Sequence, residues 1–200
     1  YDQALAAGHD CMELIRQSGR SGRLIHEMGM VFLAIMADRL DEAVERGLAG
    51  MRRLRERQRG APASGVELLL LAAWLLRGDL QPARELGLPV WEAGRVFNQK
   101  GAVADTLTLL AAREGRPRAA MILAGYAGAE YVRGATKRLA VYRRCGEAAE
   151  AIAARSLSAP AMAAMRERGR RWPDAGIAAL AFGSADADVP PEADPQAASS

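Results

Sequence analysis

The sequence predicts an all-α protein built as a helical-hairpin repeat array, an α–α superhelix, closed by a short helical cap. Three observations predict it. The apolar half of the composition is mostly Ala and Leu, and only 5% of residues are aromatic. Such a chain is rich in strong helix formers and poor in the β-branched and aromatic residues that favour sheets. A turn-like cadence, "GDLQPA" at Gly78–Ala83, recurs as "GRPRAA" at Gly115–Ala120 and as "DRLDEA" at Asp38–Ala43. Finally, the alanines that close these turns, with Ala4 as the tail of one more copy, are spaced 39, 40 and 37 residues apart. A period in that range marks stacked repeats.

The first element is a partial unit over residues 1–20. The first complete unit, 22–59, pairs a helix over Gly22–Ala37 with one over Asp41–Arg57. Leu24, Met28, Val31, Phe32 and Ile35 share one face of the first helix, and Ala43, Val44, Leu48, Met51 and Leu54 share one face of the second. "RGAPASG" at Arg59–Gly65 breaks the chain with Gly and Pro. Unit two, 66–99, pairs Val66–Arg77 with Gln81–Gln99; Pro82 is tolerated in a first turn, where its missing N–H has no partner to lose. Unit three, 102–133, pairs Ala102–Glu114 with Arg116–Arg133.

The turn residues have a direct physical reading. A helix ends readily where one residue turns left-handed, which Gly accepts without steric cost and Asp tolerates better than most. The alanine five residues later, at Ala43, Ala83 and Ala120, falls where two helices cross closely and a larger side chain would part them. Gly78 and Gly115 with those alanines are therefore structural repeat positions.

A cap over 136–182 follows. It contains a longer helix over Thr136–Ser156, a helix with Ser158 as N-cap and Gly169 as terminator, and a short last helix opened by Pro173. Residues 183–200 are Ala, Asp, Pro and Ser with almost nothing to bury, which predicts a disordered tail or linker.

The charge pattern argues against several function classes. A net charge of +3 from 27 basic and 24 acidic side chains lacks the concentrated stripe of a nucleic-acid module. "MRRLRERQR" at Met51–Arg59 carries Arg52, Arg53, Arg55, Arg57 and Arg59 over several faces with no aromatic interleaved; it reads as a solvated helix end, as does "RERGRR" at Arg166–Arg171. Cys11 and Cys145 stand far apart, which points to a reducing compartment and no metal knuckle. His9 and Cys11, at i, i+2, would point to different faces of a helix, and His26 reads as a packing or surface residue. There is no phosphate-binding loop and no nucleophile–base pair. No catalytic, cofactor-binding or metal-ligating residue is therefore assigned. The apolar run Leu68–Leu76 is about half the ~20 residues of a membrane span. With no signal peptide visible and Tyr1 at the start, the expectation is a segment of a longer cytoplasmic protein.

Within "VELLLLAAWLLRGDLQPA", Leu70, Trp74 and the Gly78…Ala83 turn resemble the tetratricopeptide pattern, although Leu71 replaces its glycine and the period exceeds 34 residues. The longer units look more like the C-terminal helical arrays of bacterial ATP-dependent transcriptional regulators of the LuxR type, or signal-transducing ATPases. "LTLLAAREGRPRAAMILAGYAGA" (Leu107–Ala129) and "AMAAMRERGRRWPDAGIAALA" (Ala161–Ala181) carry that similarity, with departures at Met162, Arg170 and Trp172. The resemblance implies a non-catalytic module that binds a protein partner or a small-molecule effector, with ATPase and DNA-binding regions elsewhere in the protein. It also implies that first helices face inward. Met28, Phe32, Leu68, Leu75 and Leu109, with Asp105 as a polar member, would then approach a groove, to which Trp74, Trp91, Tyr126 and Tyr131 could add aromatic surface. The other reading of these residues is core between stacked units. Two further functions stay open: a free-standing scaffold that binds a peptide or partner protein, and a nucleic-acid-contacting helical repeat.

Overall fold

The computed structural model describes residues 1–4, 6–7, 23–57 and 65–183. Among these the secondary structure is all helical. The helices are α1 (Arg23–Met36), α2 (Leu40–Arg57), α3 (Gly65–Arg77), α4 (Leu80–Val96), α5 (Lys100–Arg113), α6 (Pro117–Arg133), α7 (Ala140–Ala153), α8 (Ala159–Gly169) and α9 (Asp174–Phe182). Most of the partial first unit, with His9 and Cys11, lies outside the described residues, as do 58–64 and the tail from 184.

The predicted turns form for the predicted reason. Asp38, Gly78 and Gly115 are left-handed, at φ 61°, 108° and 76°. In each, the next residue's N–H reaches back five positions: Arg39 to Ala34, Asp79 to Trp74 and Arg116 to Ala111, all at 2.9 Å. This 6→1 bond satisfies a carbonyl that the ending helix would leave open. Ala43, Ala83 and Ala120 then enter the following helix completely buried.

Two more turns use the same device without the cadence. Asn98 (φ 55°) ends α4 at Val96, with Gln99 N–H on the Gly94 carbonyl at 2.9 Å. The helix predicted to reach Gln99 therefore stops three residues early. Ala135 (φ 47°) ends α6, with Thr136 N–H on the Tyr131 carbonyl at 3.1 Å. Thr136 is thus consumed by a turn, Leu139 is extended, and the helix predicted from Thr136 starts at Ala140.

The first helices of successive hairpins pack side by side: α3 lies against α1 and α5, while α2 and α4 each pack on the first helix that follows. Their shared core contains Leu70, Leu71, Leu75, Leu107, Leu110 and Trp91, all at most 1% exposed. After α6 the succession changes. The helix α7 lies chiefly on α5 and also touches α1, α3 and α6; α8 packs on α6; α9 spans α4, α5 and α6.

Candidate functional site

The six groove candidates occupy the first-helix side of the array. Leu68, Leu75, Asp105 and Leu109 are buried within α3 and α5, whereas Met28 and Phe32 on α1 are half-buried against the same core. None of the four buried side chains is open to solvent, and α7 packs against all three helices that carry the candidates. The aromatic candidates do not meet in one groove. Trp91 and Tyr126 pack edge to face at 6.0 Å inside the core, Trp74 is half-buried, and Tyr131 goes to Asp105.

Asp105 is the centre of the best-defined polar site. Its carboxylate is fully buried on α5, yet three donors reach it. Arg138 Nε donates to Oδ2 at 2.7 Å and Arg138 Nη2 to Oδ1 at 2.6 Å, a two-pronged pairing; the Tyr131 hydroxyl donates to Oδ2 at 3.0 Å. The guanidinium also stands 5.9 Å from the Tyr131 ring centre. The three donors belong to two residues from different places: Tyr131 in the last turn of α6 and Arg138 in the connection before α7. On the far side lies α7, where a Cβ added to Gly146 would meet Arg138 Nη2 at 2.4 Å. Gly146 therefore lets α7 close down on the ion pair.

Burial pushes the Asp105 carboxyl up to about 6, and the hydrogen bonds and charge of Arg138 and the Tyr131 hydroxyl hold that rise back. Burial, together with the Asp105 charge, raises the hydroxyl of Tyr131 and the thiol of Cys145 above their ordinary values. With its lone pairs engaged by three donors, Asp105 joins α5, α6 and the α7 connection into one unit. Sequence reading singled out Asp105 and Tyr131 but not Arg138, whose run "TKRL" gives no sign of turning inward.

Arg144 of α7 gives a second polar tie, donating to the Ile35 carbonyl and pairing with Asp38 at the end of α1. At the other end of the array, Asp174 in the first turn of α9 takes Lys100 Nζ and the Tyr126 hydroxyl, each at 2.8 Å. The last carbonyls of α9 are held by arginines: Arg116 donates to Leu180 O at 2.7 Å and to Ala181 O, and Arg84 to Phe182 O at 2.6 Å. Basic groups at a helix C-terminus also complement its dipole.

A separate cleft of about 520 Å³ lies along α1 and α2, lined by Glu27, Arg39, Asp41, Glu42, Arg46 and Arg53 among others. Its arginines are paired, Arg53 with Glu27 and Arg39 and Arg46 with Glu42 at 2.9 and 2.8 Å, while Asp41 pairs with Arg77 of α3. The second arginine run is also engaged. Arg166 pairs with Glu150 at 2.7 Å, Arg170 and Arg171 with Glu167, and Arg168 lies over the Trp172 ring. Among the described residues, no cluster of three or more His, Cys, Asp or Glu could hold a metal ion, and no helix is long and apolar enough to cross a membrane.

No protein-family model matches this chain, and neither curated proteins nor solved structures gave a match.

Proposed function

We propose that this chain is a non-catalytic, helical-hairpin binding module, the protein- or effector-sensing arm of a cytoplasmic ATP-dependent transcriptional regulator. The observation that carries the reading is the repeated hairpin. Three turns at Asp38, Gly78 and Gly115 share one left-handed geometry, one 6→1 bond and one buried alanine five residues on. Arrays of such units present extended surfaces to partners, the role assigned to this segment. The regulator part of the proposal rests on the similarity of Leu107–Ala129 and Ala161–Ala181 to the ends of such arrays. ATP and DNA would then be handled by other regions, and direct nucleic-acid contact is not part of the reading. The paired state of Arg166, Arg170 and Arg171 supports leaving it out.

The test is to translate the coding sequence in frame on both sides of the chain. A phosphate-binding loop upstream, with a helix-turn-helix or winged-helix segment at either end, is the expected result. A start codon directly before Tyr1 with a stop codon after Ser200 would contradict the regulator reading and favour a free-standing scaffold.

A further inference from the structure

The helix α7 is held unlike the helices before it. In the hairpins each first helix is followed by a partner that packs against it, but α8 packs on α6 instead. The connections on both sides of α7 are largely exposed, residues 135–139 before it and 154–156 and 158 after it. Its outer face, with Arg143, Glu147, Glu150 and Ala151, is exposed. Lifting α7 would break its ion pair to α8, Glu150 with Arg166 at 2.7 Å, but leave the seats of α8 on α6 and of α9 on α4–α6.

The inner face of α7 is mostly small. Val141, Cys145, Ala149 and Ala153 recur every four residues and are completely buried, with Tyr142 beside them. Alanine and cysteine remove little apolar area from water compared with the leucines that join α3 to α5, so burial alone holds α7 less strongly. Two arginines supply the difference. Arg138 enters the buried Asp105 carboxylate under Gly146, and Arg144 ties α7 to Ile35 O and Asp38 at the end of α1. With α7 lifted, the half-buried Met28 and Phe32 and the buried Leu68, Leu75 and Leu109 belong to the helices left uncovered.

We propose that α7 is a detachable, intramolecular ligand of the face formed chiefly by α5 and α6 with α1 and α3, latched by Arg138 on Asp105 and by Arg144 on α1, and that its release opens this face to a partner's amphipathic helix. The partner helix would resemble α7: a stripe of small residues every fourth position, with an arginine near its N-terminal end to meet the last carbonyls of α1. This rests on the binding-module reading and adds its regulation. The resting protein occupies its own site, so a partner binds in proportion to the undocked fraction.

Cys145, completely buried under α7, reports release directly. In the full chain carrying Cys11→Ser, it is the remaining thiol, and its reaction with a disulfide reagent reads opening. Arg138→Gln is expected to speed labelling at least tenfold, and Arg144→Gln severalfold, at urea concentrations where far-UV circular dichroism shows no global unfolding. If Arg138→Gln does not fold, Arg144→Gln, whose partner Asp38 is exposed rather than buried, decides alone. A fluorescent peptide of residues 138–155 with Cys145→Ser is then titrated against each protein, with at least threefold tighter capture expected by the latch variants than by the unaltered protein. Labelling that follows the globally unfolded fraction in every variant would overturn the latch. Fast local labelling with no peptide capture would overturn the helix-binding face. Neither result depends on ATPase or DNA-binding segments, so failure here is distinct from failure of the regulator reading.

Discussion

The three hairpins and the three helices that follow them are built from the same residues but held together differently. From α1 to α6, helices meet through leucines, alanines and left-handed turns, with ion pairs between neighbours (Arg53–Glu27, Arg77–Asp41, Arg84–Glu114), and the local sequence cadence repeats. Of the helices that follow, α7 and α9 are seated by contacts distant in sequence: Arg138 with Asp105, Arg144 with Asp38, Asp174 with Lys100 and Tyr126, and Arg84 and Arg116 with the end of α9. The helix α8 is a third case, seated by the absence of side chains. A Cβ on Gly125 would lie 1.9 Å from Arg166 O, and one on Gly169 2.0 Å from Ile122 O, so α6 and α8 touch backbone to backbone. Repetition builds a scaffold from local rules, whereas closing it off takes individual long-range contacts.

The contrast can be broken most severely at the Asp105 ion pair. Arg138→Ala leaves a fully buried carboxylate without its cation, and stability to urea should fall by about 4 kcal/mol. The conservative double change Asp105→Asn with Arg138→Gln should recover part of that loss, because no buried charge is left behind. Next comes the α6–α8 crossing. Gly169→Ala or Gly125→Ala forces the two backbones apart and should lower stability by about 3 kcal/mol in equilibrium unfolding.

The two aspartates that tie the later helices to the hairpins, Asp105 on α5 and Asp174 on α9, should also separate by pH. Asp105 is raised to about 6, so the native state holds its proton more tightly than the unfolded chain does. Its contribution is fully present below the ordinary carboxylate range and is lost as pH rises through about 6. Asp174 behaves oppositely. Burial alone would raise it, but the hydrogen bonds from Lys100 and Tyr126 outweigh that and hold its carboxyl below the usual range. Its contribution is present at neutral pH and is lost as pH falls through that depressed value. Unfolding midpoints between about pH 3 and pH 8 for Asp105→Asn and Asp174→Asn, each subtracted from the unaltered protein, should slope in opposite directions. Parallel slopes would remove the distinction.

Smaller changes sharpen the picture at the helix ends. The Ser158 hydroxyl accepts from Ala161 N–H at 3.4 Å as the N-cap of α8, and Ser158→Ala should cost about 1 kcal/mol in urea unfolding. Ala135 sits left-handed at φ 47° with no side-chain reason to do so. Ala135→Gly should raise stability by about 0.5 kcal/mol, the one change here expected to stabilise.

What was legible in the sequence follows this division. Gly78, Gly115 and Asp38 announced their turns because left-handed backbone has a residue preference, and Ser158 announced a cap for a similar local reason. Asn98 carries the same preference but lacked the repeated cadence, and Ala135 carries none, so α4 ends and α7 starts away from the predicted places. Asp105 stood out as a polar residue among apolar neighbours. Its partner Arg138 did not, since one arginine in a polar connection looks like any other until the fold turns it inward. The glycine inside α6 is a missed signal: a helix-interior glycine at Gly125, lacking a turn to justify it, marks a close crossing, whereas Gly169 reads in sequence only as the end of α8.

The most direct test of the central claim, that a hairpin scaffold carries a latched α7, is native-state amide hydrogen exchange resolved by helix. Amides of α3, α5 and α6 should exchange only through global unfolding. Amides of α7 should exchange through a cheaper local opening that Arg138→Gln makes more frequent without changing α3. Exchange of α7 at the same free energy as α5 and α6, in both the unaltered protein and the variant, would contradict it.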